Sequence, residues 1–354
     1  MFKSFLRAMS VAMLIVGTVI GAGFASGKEV VTFFGDVPNV FIALITGVLV
    51  FGCSVLFLFV GRRVQKSDIG EVNGAVFGKL RPLADIFMLF NSMTVLGAML
   101  AGSDSLAAEF LDIRPATSII LGLLCAVIAV KGLSGVIKAN AVLVPIMIGT
   151  ICACSVAAID FPFRPQSSAI NFYSIILYVS MNMILGGSVL TTVRNLSPRE
   201  IILASAVAAG IIAGLLLCIM GALQSCSASH ADMPMLLVAL KNGRVMYFVC
   251  LPVIAASIFT TMLSAFKSVY DYILGFFKHK AIAAGIVLIG GLAVGALGFS
   301  NVVSVLYPVI GGIGILYIAC NGWYLIRTRV KRKVKTKAKK IKSAVKRRKK
   351  NSVA

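Results

Sequence analysis

The stretch Gly17–Glu29 reads GTVIGAGFASGKE and lies within the first long apolar run of the chain. It holds four glycines in eleven residues: Gly17, Gly21, Gly23 and Gly27. Glycine inside a helix costs about 1 kcal/mol relative to alanine, so this cluster favours unwinding. Unwound backbone in a membrane leaves polar groups that lipid cannot satisfy but a bound ion or substrate can. The alternative interpretation is two small-xxx-small packing motifs.

The composition indicates a membrane protein. The 354 residues are 59% hydrophobic and only 13% charged, whereas soluble domains carry about a quarter charged residues. Apolar runs recur at lengths near the roughly 20 residues that cross a hydrocarbon core. The sequence therefore predicts an all-α integral membrane protein with ten transmembrane helices, at about 8–34, 38–61, 82–111, 116–131, 136–159, 171–193, 200–223, 244–275, 281–298 and 301–326.

The distribution of basic residues predicts the topology. With ten spans both termini lie on one side, and that side receives 29 of the 34 Lys and Arg residues. Cytoplasmic loops are enriched in Lys and Arg, so we expect a multi-pass plasma membrane protein with both termini in the cytoplasm.

The chain divides into a transmembrane domain, residues 1–326, and a basic tail, residues 327–354. Between Arg327 and Lys350 there are 15 Lys or Arg and no acid. Composition favours a disordered segment or a helix on the membrane surface, with anionic lipid of the inner leaflet as its partner. Nucleic acid is not expected as a partner because no aromatic residues interleave the charges.

A second polar interruption is predicted in helix 6, which reads YVSMNMILGGSVLTTV from Tyr178. Asn182 precedes the pair Gly186 and Gly187 by about one turn, and Ser188 follows. The position matches that of the helix 1 cluster half a membrane domain earlier, as in transporters built from two inverted halves. Ordinary packing with a hydrogen-bonded Asn is the alternative.

Helix 8 carries hydroxyls at helical spacing. Ser257, Thr260, Thr261 and Ser264 fall at i, i+3, i+4 and i+7, hence on one face. Hard cations such as sodium prefer oxygen ligands, and carbonyls freed from helix 1 would complete such a site. The alternative is hydroxyls bonded back to carbonyls of their own helix.

Acidic residues at membrane depth suggest further candidates. Asp104, in helix 3, is a candidate for binding a substrate amine or for proton coupling; the alternative is that it lies in the outer third of the span, within reach of water. Lys28 and Glu29 either belong to the ligand site at the helix 1 glycine cluster or lie at the membrane interface, and the sequence leaves both roles open. The sequence lacks phosphate-binding, zinc-protease and nucleophile-elbow motifs, so no enzyme activity and no cofactor are expected.

The segment GTVIGAGFASGKE closely resembles the amino-terminal signature of the YkvI-like bacterial membrane proteins, of the amino acid-polyamine-organocation superfamily. The resemblance covers roughly residues 5–326 and is strongest over helix 1. It implies a LeuT-like fold, a five-plus-five inverted repeat in which broken helices 1 and 6 line a central site. The segment GVIKANAVLVP, residues 135–145, looks like the start of the fifth helix of that superfamily.

The resemblance extends to the neurotransmitter:sodium symporters. Their helix 1 pattern is similar to Gly17, Ile20, Gly21 and Gly23, of which the first two positions offer carbonyls to a sodium ion. Helix 8 of those symporters completes the cage of the ion with one carbonyl and two adjacent hydroxyl residues, a pattern similar to Ser257, Thr260 and Thr261. The implied sodium site is therefore Gly17, Ile20, Ser257, Thr260 and Thr261.

The expected function is secondary transport of amino acids or related amines, coupled to Na⁺ or to H⁺. The amides near Ala22 and Gly23 would hold a substrate carboxylate. The other substrate candidates are Ser26, Asp104, Asn182, Gly186, Gly187 and Ser188. A nutrient-sensing receptor subunit of the same fold, similar to germinant receptors, is the alternative. The helix 3 gate and helix 6 pattern of the symporters are not matched, so substrate identity does not carry over.

Overall fold

The computed structural model describes residues 2–111, 116–131, 136–159, 170–277 and 279–351, and every regular element within these ranges is helical. The first predicted span is divided into α1 (Phe2–Val19), α2 (Ala22–Ala25) and α3 (Lys28–Phe34). The other elements, in chain order, are α4 (Val40–Val64), α5 (Ile69–Phe77), a 3₁₀ turn (Gly78–Leu80), α6 (Arg81–Leu111), α7 (Ala116–Lys131), α8 (Val136–Ala158), α9 (Phe172–Leu190), α10 (Pro198–Cys226), α11 (Pro234–Lys241), α12 (Arg244–Leu274), α13 (Lys280–Gly295), α14 (Phe299–Asn301), a π-helical turn (Val302–Leu306) and α15 (Tyr307–Asn351).

Each of the ten predicted apolar runs falls on a helix or on the divided first span. Within the described ranges, seven helices are long and apolar enough to cross a membrane. The apolar helices Ala116–Lys131 and Lys280–Gly295, and the segment Val142–Ala158 of α8, are shorter. Sixteen residues of helix span roughly 24 Å, less than a hydrocarbon core of about 30 Å. Length and composition thus establish seven candidate spans, and the count of ten stays a prediction.

The long helices pack so that the divided first span lies inside the bundle. α1 packs mainly against α10, α6 against α12 and α13, and α9 against α4 and α15. The short α2 contacts α12, and α3 contacts α9 and α10. The interruption between α1 and α3 is therefore enclosed by helices that carry the other predicted site residues.

The predicted interruption of helix 6 is not present, because α9 is a continuous helix from Phe172 to Leu190. Its glycines serve close packing instead. A Cβ at Gly187 would lie 2.7 Å from the Phe57 ring, and one at Gly186 would lie 3.0 Å from Oγ1 of Thr18. The Ser188 hydroxyl donates to the Leu185 carbonyl at 2.6 Å. The packing alternative is the correct one here.

The last helix, α15, continues to Asn351 and so includes the basic segment that starts at Arg327. The described part of this segment is helical, and its position on the membrane surface stays a prediction. The domain boundary at residue 326 stays a prediction, and residues 352–354 lie outside the described ranges.

Candidate functional site

The first span is interrupted within the glycine cluster, as predicted, and the structure has two interruptions there. Helix α1 ends at Val19, and Ile20 and Gly21 separate it from α2. Ser26 and Gly27 separate α2 from α3, and Gly27 has a positive φ of 82°. A side chain at this position would be strained and would also lie 2.9 Å from Cγ of Met235. The second interruption therefore requires glycine.

The first interruption leaves backbone groups without partners. The Gly21 amide bonds to the carbonyl of Val19 at 3.0 Å instead of continuing the helical ladder. In the described part of the chain, the carbonyls of Gly17 and Ile20 receive no hydrogen bond and the amides of Ala22 and Gly23 donate none. Unpaired buried backbone groups are rare in proteins, so these four are candidate ligand contacts.

Ser26 fixes the geometry of the second interruption. Its buried hydroxyl donates to the Gly23 carbonyl at 3.0 Å, and its carbonyl accepts from the Met235 amide at 2.8 Å. The interruption is thereby attached to the start of α11. Ser26 is also a predicted substrate contact. In the structure its hydroxyl and carbonyl groups bond to the backbone of Gly23 and Met235.

Helix α9 faces the interruption with the residues that the sequence analysis selected. Gly186 lies against Thr18, close to the end of α1. Asn182 is buried, donates to the Tyr178 carbonyl at 3.1 Å and interacts with the Glu29 carboxyl group. The structure thus brings the first span and the Asn182–Gly186 segment together without a break in α9.

Glu29 is the main residue of this region that the sequence analysis left unassigned. It is only 6% exposed, and its Oε2 has no hydrogen-bond partner among the described residues. Its carboxyl group lies against Gly23, where an added Cβ would be 2.6 Å from Cδ of Glu29. An acid deep within an apolar run was the available signal, because such residues are expensive in membranes and usually functional.

The helix 8 hydroxyls, on α12, fall into two groups. Thr260 donates to the Ser257 carbonyl at 3.2 Å, and the exposed Ser264 donates to the Thr260 carbonyl at 2.8 Å. No hydrogen bond of the Ser257 or Thr261 hydroxyl occurs among the described residues, and α12 contacts α2. Back-bonding therefore accounts for two hydroxyls and leaves Ser257 and Thr261 available to a ligand.

Asp104 is engaged in a structural contact. Its Oδ1 accepts a hydrogen bond from the Ser118 amide at 2.8 Å, near the start of α7. A carboxylate at a helix start satisfies amides that have no partner within the helix. One oxygen of the Asp104 carboxylate is therefore engaged within the protein, and its role toward a ligand stays a prediction.

A second polar cluster surrounds Asp232, in the segment between α10 and α11. Its carboxylate accepts hydrogen bonds from Ser105 at 3.0 Å and from Ser300 at 2.5 Å. The Lys28 ammonium lies 4.0 Å from Asp232 and donates to the Ala231 carbonyl at 3.0 Å. Lys28 therefore joins α3 to this cluster. The described residues include no group of three or more His, Cys, Asp or Glu able to hold a metal.

Two relatives align with nearly the whole chain. The membrane protein YkvI of Bacillus subtilis, which is named as uncharacterized, is 26% identical over 333 residues, covering 88% of this chain and 94% of the relative. The protein YyaD of the same organism, also named as uncharacterized, is 23% identical and covers 90% of this chain and 97% of the relative. No family model matches the sequence. The chain is thus similar to bacterial membrane proteins of the kind that the signature in helix 1 indicated.

Solved transporter structures share the fold. MhsT in complex with L-phenylalanine superposes with a TM-score of 0.64 at 14% identity, covering 88% of each chain. A Na⁺-coupled sialic acid symporter gives 0.59 at 14% identity, with 90% of this chain and 78% of that one covered. Inward-facing Mhp1 gives 0.64 at 12% identity, with 91% and 77% covered. The protein has a LeuT-like fold, as the sequence predicted, and these structures are of transporters rather than enzymes.

Proposed function

We propose that this chain is an ion-coupled secondary active transporter, a symporter of amino acids or related amines that works by alternating access. The interruption of the first span supports this most strongly. It leaves four polar backbone groups free inside the bundle, beside α9 and α12. Membrane proteins tolerate such irregular backbone where it binds a ligand or lines a cavity.

The free amides and a structural neighbour support the proposed substrate class. The unpaired amides of Ala22 and Gly23 suit a carboxylate, and the solved MhsT structure contains L-phenylalanine. Asn182 and Gly186 lie on the facing helix and complete the proposed substrate site, with Gly187 and Ser188 behind them. Asp104 is the candidate for a substrate amine through its second carboxylate oxygen, since Oδ1 accepts from the Ser118 amide.

Sodium is the first proposed coupling ion. The free carbonyls of Gly17 and Ile20 and the unbonded hydroxyls of Ser257 and Thr261 are oxygen ligands of the kind that a hard cation prefers. The Thr260 hydroxyl donates its hydrogen to the Ser257 carbonyl, which leaves the lone pairs of its oxygen for the ion. The Na⁺-coupled sialic acid symporter with the same fold supports this choice.

The proposed orientation places both termini in the cytoplasm, following the basic residues of the loops. The segment from Arg327 onward would then lie at the inner leaflet, where each Lys or Arg near anionic lipid contributes about 1 kcal/mol. Its role in this proposal is to anchor and orient the protein rather than to bind solute.

Uptake by purified protein in liposomes tests the proposed function. A panel of labelled amino acids and amines is presented under an inward sodium gradient, an inward proton gradient, and neither. We expect at least one solute to accumulate only when a gradient is present. Saturable binding of a solute without any flux would favour a receptor. The absence of both binding and flux would contradict the proposal.

Replacing Thr261 with Ala tests the sodium site. Loss of one hydroxyl ligand should raise the sodium concentration for half-maximal uptake by about tenfold, equivalent to about 1.4 kcal/mol. Ser264→Ala is the matched control, because that hydroxyl is exposed and bonded to its own helix. An unchanged sodium dependence in Thr261→Ala, with sodium-driven flux in the wild type, would remove Thr261 from the site.

A further inference from the structure

The Glu29 carboxyl group is buried at the interruption of the first span without a cationic partner. It is 6% exposed, and no basic group lies within 4.0 Å of it in the described part of the chain. Lys28, its neighbour in sequence, contacts Asp232 and the Ala231 carbonyl instead. An isolated carboxylate in such surroundings is costly, whereas the protonated acid is neutral.

The titratable groups that face Glu29 are two phenols. Tyr178 on α9 and Tyr307 at the start of α15 are both buried and close enough to interact electrostatically with its carboxyl group. The Tyr178 hydroxyl has no hydrogen-bond partner among the described residues. The other elements packed against α3 are α2, α10 and the π-helical turn, and none adds a charged side chain that interacts with Glu29.

A proton makes the smallest demand on the space around the Glu29 carboxyl group, which has a close backbone neighbour. The carboxyl group rests against the Gly23 backbone, and only the absence of a side chain there admits it. A sodium ion needs several oxygen ligands, and an amine needs space for its carbon chain. A proton needs neither, since it is carried on the carboxyl oxygen itself.

We propose that Glu29 is a proton-binding site whose proton is co-transported with the substrate. In the closed arrangement the carboxyl group holds the proton. When the site opens to water, its O–H bond breaks, the electron pair stays on the carboxylate and the proton passes to a water molecule. Charged Glu29 then disfavours closure until it is protonated again. This inference rests on the proposed function, to which it adds a coupling ion distinct from sodium.

Infrared spectroscopy of the purified protein in lipid tests the protonation directly and needs no substrate. At neutral pH the wild type should show the carbonyl stretch of a protonated carboxylic acid. Glu29→Gln should lack this band, and Glu109→Gln, which changes an exposed acid, should keep it. Glu29→Asp keeps an acid and should retain the band. Absence of the band from the wild type, or its persistence in Glu29→Gln, would overturn the proposal.

Flux through liposomes tests the coupling. Glu29→Gln, which mimics the neutral acid, should reduce proton-gradient-driven uptake of a labelled amino acid mixture at least tenfold. It should retain exchange of labelled for unlabelled substrate, which requires no net proton movement and shows that the variant is folded. Proton-driven uptake equal to that of the wild type would overturn the proposal. If the wild type itself shows no flux, the transporter assignment fails, and the infrared result decides the proton site by itself.

Discussion

Replacing Gly23 with Ala should abolish transport or reduce it at least tenfold. The added methyl group would lie 2.6 Å from Cδ of Glu29 and closer still to its Oε1. Relief requires either the carboxyl group or the interrupted backbone to move, and both belong to the proposed site. Shifts of about 1 Å at such a site cost on the order of 10²-fold in rate. Initial uptake rates in liposomes, normalised to inserted protein, measure the effect.

Gly21→Ala is the matched control for this substitution. Gly21 lies two residues earlier, between α1 and α2, has φ of −88° and has no atom within 4 Å of a built Cβ. Alanine is therefore compatible with its backbone and surroundings, and uptake should stay close to the wild-type rate. Equal rates in the Gly23 and Gly21 variants would show that the Gly23–Glu29 contact has no functional importance.

Gly311→Ala should destabilise the fold strongly. A Cβ at Gly311 would lie 2.5 Å from the Leu177 carbonyl oxygen and 3.0 Å from its Cα, so the obstacle is the backbone of α9. The Ser180 hydroxyl also donates to the Gly311 carbonyl at 2.5 Å across the same interface. Overpacking typically costs about 1–3 kcal/mol, and a backbone neighbour places this case at the upper end.

Gly312→Ala is the control, since a Cβ at this neighbouring position meets no atom within 4 Å. Thermal unfolding in detergent, followed by the loss of monodisperse protein, compares the two variants at matched concentration. We expect a clear decrease in the midpoint for Gly311→Ala and little change for Gly312→Ala. Similar midpoints would contradict the close packing of α15 on α9.

The sequence was sufficient to predict the helical membrane fold and the interruption of the first span. Lipid offers no hydrogen-bond partners to the backbone, and a long apolar run satisfies its own backbone hydrogen bonds when it forms a helix. In the first span the glycines coincide with Ser26 and a positive φ at Gly27, and the helix is interrupted there. These features depend on the local sequence, which explains why they could be predicted from it.

The interpretation of Gly186 and Gly187 depended on distant residues. The same small residues suit an unwound segment or a close helix contact, and the choice is made by Thr18 and Phe57 on other helices. Sequence separation of more than 100 residues hides such contacts from a single sequence. The prediction of a broken helix 6 was wrong for this reason.

The role of Glu29 was hidden for a related reason. The sequence shows Lys28 and Glu29 as an adjacent pair, which suggests an ion pair or an interfacial position. The fold separates them, with Lys28 joined to the Asp232 cluster and Glu29 buried near Asn182 and Tyr178. A distant partner also bears on Asp104, because one oxygen of this carboxylate accepts a hydrogen bond from the Ser118 amide, which the sequence does not reveal.

A secondary transporter moves solute against a gradient by using an ion gradient, and this chain should do so. The direct measurement loads liposomes and buffer with the same concentration of a labelled amino acid that the protein binds, and then imposes an inward sodium or proton gradient. The account predicts a rise of internal label above the external concentration, which collapses when an ionophore dissipates the gradient. Label that stays at the external concentration under both gradients, although the protein binds the amino acid, would contradict it.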